Sequence, residues 1–221
     1  GAFKVRTKWP MDHRGLKYDR QWMVVRSNGV ALTQKTNTTR MCLIKPIIDL
    51  DHKCLELTFP YAPSIKIPLE IANQTPTQLH SICQSKVCGD RIMGMDCGDD
   101  VAEWLSDVLC MSDLRLIRQS ATDTRMFSSK HHNDPMQISL ANQAQYLLIN
   151  ITSVKWLMDK VDDWNELTDT GEDQLANAVD RFRGNLIVET ESALEEMQWN
   201  GLRIGDRVRL TAQGACTRCQ M

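Results

Sequence analysis

Short apolar segments bounded by turn residues limit the fold of this chain more than any other feature of its sequence. Near the C-terminus, Val208, Leu210 and Ala212 alternate with polar residues. A period of two is typical of a β-strand that buries one face and exposes the other. Because similar short segments recur along the chain, the pattern predicts a mainly β fold with some helices (α+β), rich in β-barrels.

The individual strands follow from these segments. Trp22–Val25 is followed by the turn signal Ser27-Asn28-Gly29 and then by Val30–Thr33, which predicts a β-hairpin. Further segments with the length and composition of strands are Cys42–Ile44, Leu55–Phe59, Leu114–Ile117, Tyr146–Ile151, Asn185–Val188 and Val208–Ala212.

Two segments have a helical period instead. In Val101–Leu109 the apolar residues recur at spacings of three and four, and Asp99 and Asp100 precede them as candidate caps. Ser153 is placed to cap a second helix over Val154–Lys160. Helices are therefore predicted to be few and short.

The composition narrows the class of protein. The net charge of −2 gives no general attraction to nucleic acid or to an anionic membrane. No apolar run approaches the ~20 residues that a bilayer-spanning helix needs, and the N-terminus is not a signal peptide. We therefore expect neither nucleic acid nor a membrane as a partner.

The chain has eight cysteines, which raises the question of its redox compartment. A chain of this size can bury its own core and needs no disulfides, so reduced thiols in the cytoplasm are expected. Three Asn-x-Thr triplets, at Asn37, Asn73 and Asn150, leave secretion as an alternative.

Two thiols near the C-terminus, Cys216 and Cys219, flank Arg218 shortly after the last predicted strand. A neighbouring guanidinium favours the thiolate, which is the form that binds metal or attacks sulfur. The residues alone leave three interpretations open: half of a zinc site completed by upstream cysteines, a redox pair, or two structural cysteines.

Two arginine-containing turns precede predicted strands. Asp180–Asn185 contains two arginines and an asparagine, which suit an oxyanion or a phosphate. Tyr18-Asp19-Arg20 precedes the Trp22 strand in the same way. The alternative in both cases is a solvated turn, with a local ion pair between Asp19 and Arg20.

These segments occur in the order found in one protein family. Segments that resemble the N-terminal β-barrel module preceding MOSC domains are Gly1–Phe3, Gly15–Met23 and Leu32–Lys35. Segments that resemble the MOSC domain of molybdenum cofactor sulfurases are Lys86–Arg91, Asp96–Gly98, Trp104–Ser106, Ser139–Asn142, Arg181–Ile187 and Gly214–Met221. The resemblance covers essentially the whole chain.

The resemblance implies an architecture. A MOSC-type β-barrel is expected to follow a smaller β-barrel module, with the module at residues 1–80, truncated at its start, and the MOSC domain at 81–221, truncated at its end. The break at Thr75-Pro76-Thr77 and the following shift towards Cys, Gly and Asp agree with this boundary. Both ends of the chain are therefore expected to be artificial, which makes it a fragment.

The resemblance also implies a function, that of a sulfurtransferase. In this family an upstream domain uses pyridoxal phosphate to take sulfur from L-cysteine as a persulfide. The MOSC part binds the molybdenum cofactor while that sulfur is transferred to molybdenum, which gives the sulfurated cofactor for xanthine dehydrogenase and aldehyde oxidase. The pyridoxal-phosphate domain is expected to lie outside this chain, in the full-length protein only. The alternatives are a stand-alone MOSC-type molybdenum reductase of N-hydroxylated compounds and a zinc-stabilised binding module.

The site residues carried over by the resemblance have chemistry that suits a pterin dithiolene with a phosphate. Molybdenum prefers soft sulfur ligands, and the family places a cysteine in the C-terminal segment. The resemblance assigns catalysis and metal ligation to Cys219, with Cys216 as the second choice for the metal. The implied cofactor-binding residues are Arg20, Arg183, Asn185, Ser139 and Asn142.

Overall fold

The computed structural model describes residues 8–32, 39–70, 77–79, 92–128, 135–141, 143–162 and 173–216. Its contacts divide the chain into two compact units. Unit 1 includes Phe3–Phe127 and Met136–Gln145, and unit 2 includes Ser128–Pro135 and Tyr146–Met221. The module boundary expected after residue 80 falls outside the described residues and stays a prediction.

Unit 1 is built mainly from short strands. In chain order these are β1 (Met11–Asp12), β2 (Gly15–Leu16), β3 (Trp22–Arg26), β4 (Lys45–Asp49), β5 (Cys54–Phe59), β6 (Ala62–Pro68), β7 (Thr77–Leu79), β8 (Ile92–Asp96), β9 (Leu114–Gln119), β10 (Met126–Phe127) and β11 (Met136–Gln137). They form an antiparallel sheet of order β3-β9-β8-β7, a second sheet of order β4-β5-β6 and the ribbons β1-β2 and β10-β11. The predicted mainly β fold is confirmed, although none of the described sheets closes on itself.

Helix α1 (Asp99–Leu109) supplies one side of the core of unit 1. Leu105 is fully buried, and the indole of Trp104 donates a hydrogen bond of 2.7 Å to the carbonyl of Pro63. The predicted helix is confirmed, but its N-cap is Gly98. The expected capping aspartates lie in the first turn instead, where their charge still complements the helix dipole.

The hairpin predicted from the Ser-Asn-Gly turn is confirmed. Arg26 donates to the carbonyl of Val30 at 2.9 Å, and Leu32 donates to the carbonyl of Val24 at 2.9 Å. Gly29 has a φ of 80°, which favours glycine over other residues at this position.

The strand predicted at Cys42–Ile44 is wrong. A 3₁₀ helix covers Thr39–Leu43, and the strand that follows it, β4, was not predicted. The first three residues of β4 are exposed and include Pro46, so the apolar alternation that reveals a strand is missing. Proline is tolerated there because β4 is an edge strand of its sheet.

Unit 2 combines helices with paired strands. Its elements are β12 (Leu148–Asn150), α2 (Ile151–Met158), α3 (Gln174–Phe182), β13 (Leu186–Val188), β14 (Gly201–Ile204) and β15 (Val208–Thr211). Strands β12 and β13 pair in parallel, and β14 and β15 form an antiparallel hairpin. Val154, Ala178 and Val179 form a small buried cluster between α2 and α3. Among the residues that the structure describes, no helix is long and apolar enough to cross a bilayer.

The helices of unit 2 differ from the prediction in two ways. Helix α2 is capped by Asn150, whose side chain accepts from the amide of Thr152 at 3.1 Å, rather than by Ser153. The hydroxyl of Ser153 instead donates to Glu196 at 2.9 Å. Helix α3 was not predicted, although its apolar residues recur at helical spacing.

Candidate functional site

Arg20 lies in a strained turn between β2 and β3. Tyr18 and Arg20 have φ values of 70° and 50°, a left-handed conformation that costs about 1–2 kcal/mol per non-glycine residue. Between them, the carboxylate of Asp19 is buried and paired with the Arg20 guanidinium. Such strain persists only where surrounding bonds fix the turn, and it is concentrated at functional sites.

Ser139 is brought next to this turn, although it is distant in the sequence. The amide of Leu140 donates to the carbonyl of Arg20 at 2.9 Å. Ser139 is buried, and its carbonyl accepts a hydrogen bond of 2.8 Å from Arg125. Unit 1 therefore joins two of the predicted residues, Arg20 and Ser139. The other residue expected here, Asn142, lies outside the described residues.

Arg183 and Asn185 lie at the junction of α3 and β13 in unit 2. Arg183 ends the helix with a φ of 55°, which is a left-handed conformation, and the residue is exposed. Asn185 makes two hydrogen bonds to the backbone of Leu147. Its backbone amide donates to the Leu147 carbonyl at 2.8 Å, and its side-chain Oδ1 accepts from the Leu147 amide at 2.9 Å. Asn185 therefore extends the pairing of β12 with β13 in addition to its predicted role.

Cys216 is the one described cysteine that belongs to unit 2. It is exposed and lies shortly after β15, so its thiol is accessible to a ligand. Cys219 lies outside the described residues. The assignment of Cys219 as the metal ligand, with Cys216 as second choice, therefore stays a prediction.

Cys97, in unit 1, has the opposite character. Burial, with a smaller contribution from the carboxylate of Asp96, raises the pKa of its thiol to about 12. A thiol that stays protonated near neutral pH is a poor nucleophile. The described part of the chain also contains no group of three or more His, Cys, Asp or Glu side chains that could hold a metal. Cys83, Cys88 and Cys219 lie outside the described residues, so the zinc interpretation is not decided by these observations.

A cluster of buried polar side chains in unit 1 was missed from the sequence. It consists of Arg14, Gln119, Asp123 and Arg125. The Oδ2 atom of Asp123 accepts from the Gln119 side chain at 2.7 Å. Arginine and aspartate are seldom buried, and no local pattern distinguishes these residues from surface ones. Their burial is visible only in the tertiary structure.

Two domain profiles match the chain in the expected order. One is described as the MOSC N-terminal beta barrel domain and matches residues 2–112, and the other is the MOSC domain and matches residues 135–221. The chain belongs to the MOSC family. Of the expected cofactor-binding residues of this MOSC chain, Arg20 lies in the first matched region, and Ser139, Arg183 and Asn185 lie in the second.

Curated relatives of this MOSC chain are similar to it over its whole length. It is 49% identical to the molybdenum cofactor sulfurase of Bombyx mori, 48% identical to molybdenum cofactor sulfurase 3 of Aedes aegypti, and 44% identical to the molybdenum cofactor sulfurase of Drosophila melanogaster. All of the chain is matched, but only 26%, 28% and 25% of those proteins. The chain thus spans about a quarter of their length, and the resemblance to molybdenum cofactor sulfurases is confirmed.

A solved structure was also found, the solution structure of a Bordetella bronchiseptica protein. It aligns at 17% identity with a TM-score of 0.37, over 52% of this chain and 91% of that protein. At this score the alignment carries no argument about the fold.

Proposed function

We propose that this chain is the part of a molybdenum cofactor sulfurase that binds the molybdenum cofactor. In this proposal a persulfide sulfur derived from L-cysteine is then transferred to molybdenum. The observation that carries it is the identity of 49% over all 221 residues with a protein named for that activity. Both matched domain types support the same assignment.

The donor types of the described residues fit such a substrate. The cofactor is anionic, and guanidinium groups such as those of Arg20 and Arg183 bind phosphate through paired, charge-assisted hydrogen bonds. An accessible thiol, such as that of Cys216, can supply the soft ligand that molybdenum prefers.

The whole-protein activity requires partners beyond this chain. We propose that the sulfur comes from an upstream pyridoxal-phosphate desulfurase domain, and that the clients are xanthine dehydrogenase and aldehyde oxidase in the cytoplasm. The isolated region is then expected to bind the cofactor without sulfurating it from L-cysteine. Activation of desulfo-xanthine dehydrogenase by the isolated region and L-cysteine alone would contradict this expectation.

The experiment that tests cofactor binding uses the full-length protein and single cysteine substitutions. Cys219→Ser is expected to lose molybdenum, Cys216→Ser to retain it, and Cys110→Ser, on a different part of the chain, to match wild type. Bound molybdenum is measured by elemental analysis and bound pterin by fluorescence after oxidation. Equal metal in wild type and Cys219→Ser would make the ligand assignment wrong, and wild type without pterin would make the proposed function wrong.

The alternative enzyme, a stand-alone MOSC-type molybdenum reductase of N-hydroxylated compounds, is less well supported. The curated relatives carry the name sulfurase, and none of the described contacts distinguishes a reductase. Reduction of a hydroxylamine by the purified protein, with no effect on desulfo-xanthine dehydrogenase, would favour this alternative.

A further inference from the structure

The segment that carries Ser139 has an irregular backbone whose hydrogen bonds go to other parts of unit 1. After β11 ends at Gln137, the amide of Ile138 donates to the carbonyl of Arg125 at 3.3 Å. The carbonyl of Ile138 accepts from the Gln119 side chain at 3.2 Å. The bond to the Arg125 carbonyl continues the β10–β11 pairing by one residue, and beyond it the path of residues 139–141 depends on tertiary bonds.

The Arg125 side chain makes two hydrogen bonds to this segment through a single atom. Its Nη1 atom donates to the carbonyl of Ser139 at 2.8 Å and also to the carbonyl of Ala141. The side chain of Arg125 is only 8% exposed, so these bonds are shielded from water. One guanidinium nitrogen therefore fixes two carbonyls at alternate positions of the segment.

The segment in turn fixes the Arg20 turn. The amide of Leu140, between the two carbonyls held by Arg125, donates to the carbonyl of Arg20 at 2.9 Å. The contacts thus run from Arg125 through residues 139–141 to the backbone of Arg20.

We propose that Arg125 is a positioning residue for the half of the cofactor site that contains Arg20 and Ser139. It acts through the backbone of residues 139–141 and not by contact with the cofactor. This inference rests on the proposed function, because it assigns to Arg125 the placement of two residues of that site.

A purely structural role for Arg125 needs a matched control, and the chain offers one in Arg14. Arg14 is also 8% exposed and lies in the same unit. Its guanidinium donates to the carbonyls of Ser120, Ala121 and Asp123 at 3.1, 2.9 and 2.6 Å. None of its hydrogen bonds to the described residues reaches residues 138–141. Removal of either guanidinium breaks buried hydrogen bonds to backbone carbonyls. Of the two arginines, Arg125 is the one that donates to the Ser139 segment.

The test compares Arg125→Met, Arg125→Lys and Arg14→Met in the full-length protein. The first measurement is hydrogen exchange at the Leu140 amide, which reports the backbone contact itself. The second is the dissociation constant for molybdopterin, measured by fluorescence at a temperature where all variants are folded. Arg125→Met is expected to lose protection at Leu140 and to bind molybdopterin about tenfold to a hundredfold more weakly, the range typical for residues that orient a ligand group.

Arg14→Met is expected to keep both the protection at Leu140 and the wild-type affinity, and Arg125→Lys to recover part of both. Wild-type affinity in Arg125→Met, or equal loss in Arg14→Met, would overturn the positioning role. Unchanged exchange at Leu140 in Arg125→Met would overturn it as well, even if wild type proves not to bind molybdopterin. Wild type that does not bind molybdopterin would refute the proposed function, whereas unchanged exchange at Leu140 refutes the positioning role, so the two failures are distinguishable.

Discussion

Replacement of Arg183 by glycine should separate stability from cofactor binding. Arg183 ends α3 with φ 55° and ψ 43°, a conformation that glycine adopts without strain. The left-handed backbone costs arginine about 1–2 kcal/mol, and the greater freedom of glycine in the unfolded chain offsets about 0.4–1 kcal/mol of that gain. Because the residue is exposed, loss of its surface contacts costs little. Arg183→Gly is therefore expected to stabilise the protein by about 0.5–1 kcal/mol.

The same substitution removes a guanidinium that we propose binds the cofactor. The expected result is thus a higher melting temperature together with weaker binding of molybdopterin. The matched control is Cys110→Gly, at the left-handed C-terminal position of α1 with φ 53° and ψ 45°. Cys110 is exposed as well and has no predicted role, so its replacement should raise the melting temperature without a change in affinity.

Thermal unfolding by calorimetry and molybdopterin binding by fluorescence, on the full-length protein, give the two quantities. Wild-type affinity in Arg183→Gly would refute the role of Arg183 in the site. Destabilisation by Arg183→Gly alongside stabilisation by Cys110→Gly would instead show that the Arg183 side chain contributes to the fold, and the argument from backbone strain would be wrong.

Three further predictions concern stability and reactivity. Cys97, with its raised pKa of about 12, should react with iodoacetamide far more slowly than the exposed Cys216 at about pH 8, as followed by mass spectrometry. Unfolding lets this thiol ionise at its ordinary pKa near 9, so stability in denaturant titrations should fall as the pH rises from 9 towards 12; a flat profile would contradict this. Arg203→Glu replaces a like-charged cross-strand pair with Arg209 by an attractive one and should raise stability by about 0.2–1 kcal/mol, less in high salt. Gly184→Ala places a Cβ 2.6 Å from the Cγ1 atom of Ile149 and should lower stability by about 1–3 kcal/mol in the same titrations; unchanged stability would contradict this.

The sequence predicts those strands and helices in which buried apolar residues recur at regular spacing. Helix α1 buries one face against the core of unit 1. Strands β5 and β9 each place alternate leucines in that core, Leu55 and Leu57 in β5 and Leu114 and Leu116 in β9, so their apolar spacing is visible in the sequence. Edge strand β4 has no such alternation, because its first residues are exposed on both faces. Helix α3 also carries apolar residues at helical spacing, at Leu175, Ala178, Val179 and Phe182, so its sequence does contain the signal of an amphipathic helix.

The candidate site depends much less on local patterns. The order of motifs indicates which residues belong to it, but no spacing shows that Leu140 bonds to the carbonyl of Arg20. Buried arginines such as Arg14 and Arg125 are equally invisible, since their burial depends on carbonyls more than a hundred residues away for Arg14 and on a neighbouring loop for Arg125. The tertiary contacts that shape the site are therefore a result of the structure alone.

The two predicted residues of the α3–β13 junction are not equivalent as tests of the site. The Asn185 side chain accepts from the amide of Leu147, so its loss leaves a backbone donor without this partner and weakens the pairing of β12 with β13. Weaker binding in an Asn185 variant would then have two explanations. Arg183 is exposed and occupies a backbone conformation that glycine favours, so its removal is expected to strengthen the fold. Loss of binding in a more stable protein has one explanation, which makes Arg183 the residue on which the cofactor assignment is decided.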